Sequence, residues 1–126
     1  MKRLITAIIF LLASVAICLT GYAICLSKLN NINDALGKAT YVAKTQDKEN
    51  TINCAKVIED EWKKSSRVLY ALLLHTDINE IDKNIKMLDF FAKSEDFDEF
   101  EKVCEESIVI SNRIITSQKA TIENIL

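Results

Sequence analysis

Residues 4–27 read LITAIIFLLASVAICLTGYAICLS, a run of 24 consecutive positions without a charged side chain. At about 1.5 Å of rise per helical residue this run spans roughly 36 Å, which exceeds the ~30 Å hydrocarbon layer of a bilayer. Met1-Lys2-Arg3 precedes the run and Lys28 follows it. Since no second apolar stretch approaches 18 residues, the sequence predicts one transmembrane helix over residues 4–27, a signal anchor.

A cleaved signal peptide is the alternative interpretation of the same segment. Small residues suited to a cleavage site occur in Gly21-Tyr22-Ala23 and Ser14-Val15-Ala16. The apolar run nevertheless continues through Leu26, beyond the roughly 7 to 15 residues of a signal-peptide core. Its length favours an uncleaved anchor and leaves cleavage as the second option.

The charges on either side of the anchor indicate its orientation. Because Lys2 and Arg3 favour the cytoplasmic side, residues 1–3 are expected in the cytoplasm and residues 28–126 outside it, in a single-pass protein of the cell membrane. The outer part carries 14 Lys and Arg against 18 Asp and Glu. This mildly acidic balance lacks the basic surface that nucleic acids require, so a nucleic-acid partner is not expected.

The outer part has the pattern of an all-α domain. The chain contains no proline and only two glycines, so it lacks the frequent turns of a β-sandwich or barrel. Apolar residues recur at steps of three and four in four stretches, Ile32–Ala43, Ile52–Leu72, Ile78–Ala92 and Phe97–Ile115. The first stretch continues the anchor outward to about Thr45, and the last is expected to end near Ser117. No conformation is assigned to residues 120–126.

Three polar segments are predicted to separate these helices. The first turn is placed at residues 46–51; the second lies before Asp77, which with Glu80 has the form of a capping box. At the third, Asp96 is the expected N-cap with Glu99 three positions later. Short connections favour antiparallel neighbours, so the expected fold is an N-terminal transmembrane helix continuing into an extracytoplasmic antiparallel helical bundle. Its expected structural anchors are Trp62, Ile81, Ile85, Leu88 and Phe100.

Few residues suggest chemistry. His75 with Asp77 and Glu80 could ligate a metal, but zinc sites usually gather more histidine or cysteine ligands, so a histidine in an inter-helix turn is the favoured interpretation. The acidic run over residues 95–106 lacks the glycine and alternation of a calcium loop. With no catalytic, cofactor-binding or metal-binding residues to assign, the chain is expected not to be an enzyme and to need no cofactor.

The two outer cysteines, Cys54 and Cys104, lie about two turns into the second and fourth helices. A disulfide between them is geometrically possible in an oxidising compartment. Cys104 also falls on an apolar stripe, where a free cysteine behaves as a small hydrophobe. The free thiols are the favoured alternative, while Cys18 and Cys25 are interpreted as apolar filler within the anchor.

The order of features resembles a known family. These features are a short basic start, one anchor, a helical outer part with Trp62 on its second helix, His75 followed by Ile78, Ile81-Asp82 and Leu88, and the ending Glu123-Asn124-Ile125-Leu126. They resemble the DUF4363 family, small bacterial membrane proteins built around a domain of unknown function. The resemblance implies a single-pass protein of the bacterial cell envelope, and it supplies no catalytic residues.

Together these observations favour a membrane-anchored interaction module. Its expected partners are the lipid bilayer and either another envelope protein or a second copy of itself. The alternative is a ligand-binding or sensory ectodomain that acts through a partner membrane protein, since helical bundles can hold small molecules between their helices. An enzyme would require the residues around His75 to bind a metal.

Overall fold

A computed structural model describes residues 1–125 as four α-helices, with no strand in that range. The helices are α1 (Lys2–Lys44), α2 (Lys48–Leu72), α3 (His75–Lys93) and α4 (Phe97–Ile125). The predicted all-α class is confirmed. The predicted anchor and the first predicted outer stretch form one continuous helix, because α1 runs 43 residues through Gly21 and Gly37 without interruption.

The first residues of α2 and α4 show where the predicted turns end. Asp47 caps α2, its side chain accepting a hydrogen bond from the Asn50 N–H at 3.2 Å, so the first turn is shorter than the predicted residues 46–51. Asp96 caps α4 as expected, since its carboxylate accepts a hydrogen bond from the Glu99 N–H at 3.3 Å. Both carboxylates satisfy N–H groups that have no partner within the helix.

Two predicted helix limits are wrong. Asp77 does not cap α3, which begins two residues earlier at His75 with Leu74 in the cap position. The Asp77 carboxylate instead accepts a hydrogen bond from the Arg113 guanidinium at 3.0 Å. The fourth helix passes its predicted end at Ser117 and continues to Ile125, as neither glycine nor proline interrupts that stretch.

Two turns use a left-handed residue that is not glycine. Gln46 between α1 and α2 has φ 56°, and Glu95 between α3 and α4 has φ 57°. The Gln46 N–H donates to the Ala43 carbonyl at 3.1 Å and the Glu95 N–H to the Ala92 carbonyl at 3.2 Å. This closes each helix end at a cost of roughly 1 to 2 kcal/mol per left-handed residue.

The helices contact one another in a ring around one hydrophobic core. Each helix packs against its neighbours in the chain, and α1 closes the ring against α4. Within residues 1–125, no Cα of α1 lies within 8 Å of a Cα of α3, and none of α2 within 8 Å of one of α4. The buried side chains include the five expected anchors, Trp62, Ile81, Ile85, Leu88 and Phe100.

The two parts of α1 differ in what surrounds them. All buried residues of α1 lie in its second part, at Cys25, Leu29, Ile32, Leu36, Ala39 and Ala43. The first part packs against nothing along most of its length, and large apolar side chains such as Phe10 are exposed. This helix is long and apolar enough to cross a membrane, and its most apolar 18-residue window has no buried residue.

Candidate interaction surfaces

A groove of about 640 Å³ lies between α1 and α2. We call it the α1–α2 groove, and it is lined by Asn31, Asp34, Ala35, Lys38, Val42, Asn50, Asn53, Cys54, Val57 and Glu61. Its position follows from the helix registers, because these residues flank the buried stripes of both helices. A groove of this size can accept one row of side chains from another helix.

The groove combines an apolar floor with a charged rim. Val57 is 61% exposed, which is high for a branched aliphatic residue, while Ala35 and Cys54 are half-buried. Lys38 supplies a positive charge and Asp34 a negative one. Protein–protein interfaces also combine an apolar centre with a polar rim.

The groove continues along α1 toward the N-terminal part of the helix. A second recess of about 500 Å³ is lined by Leu19, Thr20, Ala23, Ile24, Ser27 and Lys28. Thr20, Ile24, Ser27, Asn31, Lys38 and Val42 follow one another at helical spacing, so both recesses lie on the same face of α1. One continuous face therefore joins the uncovered apolar part of α1 to the α1–α2 groove.

Trp62 and Asp82 form the main polar contact between α2 and α3. The Trp62 indole N–H donates to the Asp82 carboxylate at 2.8 Å, and Lys86 Nζ lies 2.8 Å from its other oxygen. Partial burial works against the charged form of Asp82, but the hydrogen bonds from Lys86 and Trp62 hold its pKa below the ordinary value. The contact satisfies the buried indole and so serves packing rather than recognition.

The residues considered for metal binding have other partners. The His75 ring donates from Nε2 to the Tyr70 carbonyl at 2.9 Å and meets the Tyr70 ring edge-on, with centroids 5.5 Å apart. Asp77 and Glu80 both face Arg113, at 3.0 Å and 3.8 Å. Residues 1–125 contain no group of three or more His, Cys, Asp or Glu side chains placed to hold a metal ion. The acidic residues of α4 within that range likewise form no such group.

All four cysteines are free thiols. Cys104 is fully buried, and this burial, with a smaller effect from nearby Cys54, raises the pKa of its thiol to about 12. Burial also raises the pKa of Cys54, which is half-buried at the α1–α2 groove. A disulfide needs Cα atoms within about 7 Å, so the Cys54–Cys104 bond that the sequence left possible would require α2 and α4 to move together.

Two buried hydroxyls stand out in the core. Ser65 and Ser111 have no exposed surface, and within the described residues their Oγ atoms have no hydrogen-bond partner. Ser107, equally buried, donates to the Val103 carbonyl at 2.8 Å. The two hydroxyls are enclosed in the core and line neither of the two recesses described above.

The sequence alone did not identify the α1–α2 groove. Its residues, some polar and some apolar, lie beside the buried stripes of α1 and α2. Whether the two sets of residues face each other depends on how far each helix is rotated about its axis. The available signal was Val57, an aliphatic residue off the apolar stripe of α2.

Comparison with known proteins identifies one relationship. The model of the family DUF4363, described as a domain of unknown function, matches residues 21–125. Neither the curated proteins nor the solved structures contain a match to this chain. The matched region covers a little over half of α1 and all of α2 to α4, and the chain therefore belongs to the DUF4363 family.

Proposed function

We propose that this member of the DUF4363 family is a membrane-anchored protein–protein interaction module of the bacterial cell envelope, a binding protein rather than an enzyme. Its first helix crosses the membrane once, and its helical domain stands outside the cytoplasm as an antiparallel bundle. The observation that carries the proposal is the single helix α1, of which one part is unburied and apolar and the other part belongs to the domain core.

The contacts between helices support the antiparallel arrangement. Asn33 and Lys44 of α1 meet Asn112 and Glu101 of α4, so the order of contacts reverses between the two helices. The same reversal joins α2 to α3, where the pairs are Trp62 with Asp82 and Tyr70 with Asn79. Short turns between successive helices have the same consequence.

The side-chain sizes fit this register. When these helix pairings are extended along the buried stripes, Phe100 lies at the same height in the bundle as Ala43, Thr51 and Ala92. These three small side chains leave room for a large one. By the same pairings, Trp62 lies at the same height as the small Ser111. Such alternation of large and small residues within layers is how bundles reach native packing density.

The uncovered part of α1 supports the membrane anchor. Apolar side chains such as Ile9, Phe10 and Leu12 are exposed along a continuous helix, a costly arrangement in water and a favourable one in lipid. Lys2 and Arg3 at its start favour a cytoplasmic N-terminus by the positive-inside rule. The helical domain then lies on the opposite side of the membrane.

The face of α1 that joins the two recesses indicates the kind of partner. A helix of a neighbouring membrane protein, parallel to α1 in the bilayer, would meet small residues at Thr20, Ala23 and Ser27, which let helix backbones approach closely. Continuing out of the membrane, the same helix would enter the α1–α2 groove and contact Val57. The partner is therefore expected to be another single-pass or multi-pass envelope protein with a helix that extends beyond the bilayer.

The test is affinity capture of the full-length anchored protein from cross-linked native membranes, followed by mass spectrometry. The wild type is compared with Val57→Arg, which places a charge in the groove, and with Val109→Arg on α4. The two valines are 61% and 64% exposed, so both substitutions should leave the fold intact, which circular dichroism verifies.

A partner captured by wild type and Val109→Arg but lost with Val57→Arg is the expected result. Equal capture by all three proteins would reject the groove as the binding surface. Recovery of the protein alone from cross-linked membranes would reject the interaction module itself.

A further inference from the structure

The turn between α2 and α3 exposes an unusual amount of apolar surface. It contains Leu72, Leu73 and Leu74, of which Leu72 is 47% and Leu74 80% exposed. Leu73 is half-buried against the core. Three successive leucines at the tip of a helical hairpin would be an aggregation hazard if the tip faced water alone.

The turn lies beside the apolar part of α1. A Cβ atom added to Gly21 would be 4.0 Å from Leu72 Cδ2, and Leu72 lines a recess of about 360 Å³ together with Ala16, Ile17, Thr20, Gly21 and Ile24. Starting at Leu4, a hydrocarbon layer of about 30 Å extends to approximately Ala23. The leucine turn therefore reaches the height at which the bilayer of the proposed anchor ends.

Two carbonyls at the end of α2 have hydrogen-bond partners within the protein. The Leu73 N–H donates to the Leu69 carbonyl at 2.9 Å, and the His75 ring donates to the Tyr70 carbonyl at 2.9 Å. The Tyr70 hydroxyl donates to the Asn79 side chain at 2.7 Å. The Leu69 and Tyr70 carbonyls therefore need no water molecule as a partner, which lowers the cost of placing this helix end beside lipid headgroups.

The end of α4 shares this side of the domain. Leu73, Leu74 and Asp77 line a small recess with Ile114, Ser117 and Gln118, and α4 then continues to Ile125. This last part of α4 carries Lys119 and Glu123 beside Ile122 and Ile125. Mixed charged and apolar side chains suit the headgroup layer rather than the hydrocarbon interior.

We propose that the α2–α3 turn, Leu72–Leu74, is a second membrane contact that rests in the headgroup layer of the outer leaflet beside α1. The inference depends on the proposed function, since only an inserted α1 fixes the bilayer at this height. Its consequence is that the domain has two points of attachment to the membrane, so its tilt relative to the bilayer is fixed.

The test uses the full-length protein in phosphatidylcholine vesicles with or without brominated acyl chains, which quench tryptophan fluorescence near the lipid. Leu74→Trp reports on the turn, and Val57→Trp, an exposed aliphatic site in the middle of α2, is the matched control. The native Trp62 is 3% exposed and contributes the same background to both proteins. Circular dichroism verifies that both variants are folded.

The expected result is that brominated lipid quenches Leu74→Trp at least twofold more than Val57→Trp, while aqueous acrylamide quenches it less. Equal quenching of both variants by brominated lipid would overturn the second contact and leave the anchor intact. Failure of the wild type to float with vesicles in a density gradient would overturn the anchor and the second contact together.

Discussion

The two parts of α1 have similar apolar residues and opposite surroundings. Leu12 is 63% exposed, whereas Leu29, on the same helix, has no exposed surface because α2 and α4 cover that part. Apolar character alone therefore does not distinguish a membrane span from a core helix. The distinguishing observation is whether other parts of the chain pack against it.

Cysteine labelling gives the largest expected contrast between the two parts. In vesicles, a charged maleimide should modify only Cys54, because Cys18 would lie in lipid and Cys25 and Cys104 are buried. The raised pKa of Cys104, about 12, further slows its reaction, since only the thiolate is nucleophilic. In denaturing detergent all four thiols should react, and mass spectrometry counts the labels.

Other numbers of labelled cysteines would contradict these expectations. Labelling of Cys18 in intact vesicles would contradict the membrane position of the first part of α1. Two labels in denaturing detergent, rising to four after reduction, would establish a disulfide, for which Cys54 and Cys104 are the pair that the sequence left possible.

Alanine substitutions in the two parts of α1 should have different effects on the stability of the helical domain. Leu29→Ala removes a fully buried side chain and is expected to lower the free energy of unfolding of the helical domain by about 2 to 5 kcal/mol. Leu12→Ala, its control in the uncovered part, should change it by less than about 0.5 kcal/mol. Denaturant unfolding monitored by Trp62 fluorescence measures both, and equal effects would show that α1 is not divided in this way.

The pH dependence of stability should also belong to the helical domain. The Asp82 pKa is held below its ordinary value of 3.8, so its contribution is present above that pH and is lost as the pH falls through the lower folded-state pKa. Asp82→Asn should be less stable than wild type at pH 7, and the difference should shrink below pH 3.8. Asp60→Asn, an exposed site on α2, is the control, and a difference that does not depend on pH would contradict this role.

The two glycines give the smallest contrast. Gly37 is exposed in mid-helix with nothing within 4 Å of an added Cβ, so Gly37→Ala should stabilise the domain by about 0.5 to 1 kcal/mol. Gly21→Ala, in the part beside Leu72, should leave unfolding of the domain nearly unchanged. Thermal unfolding of the two variants measures the difference. A loss of stability in Gly37→Ala would show that the helix needs flexibility there.

The sequence predicted the features that depend on local chemistry. The spacing from Ile78 to Ala92 identified the buried stripe of α3, and Asp96 with Glu99 located the start of α4. The predicted cap at Asp77 failed because Arg113, distant in the sequence, binds its carboxylate. A local motif cannot reveal such competition from another helix.

The candidate surfaces depended on information that the sequence pattern does not carry. The α1–α2 groove exists because the positions beside two buried stripes face each other, which requires the rotation of both helices. The three leucines at residues 72–74 can be read from the sequence, but the proposed membrane contact follows from their position beside Gly21 of α1. Both surfaces therefore became interpretable only after the registers of the helices were known.

The closure of the ring between α1 and α4 has a consequence for how the protein is made. Asn33 and Asn112, which hydrogen-bond across this contact, are separated by 79 residues. At a synthesis rate of about 5 to 20 residues per second, the ribosome needs roughly 4 to 16 s to add the missing partner. During this interval only α2 is available to cover the buried stripe of α1, and the side of that stripe that packs against α4 stays uncovered.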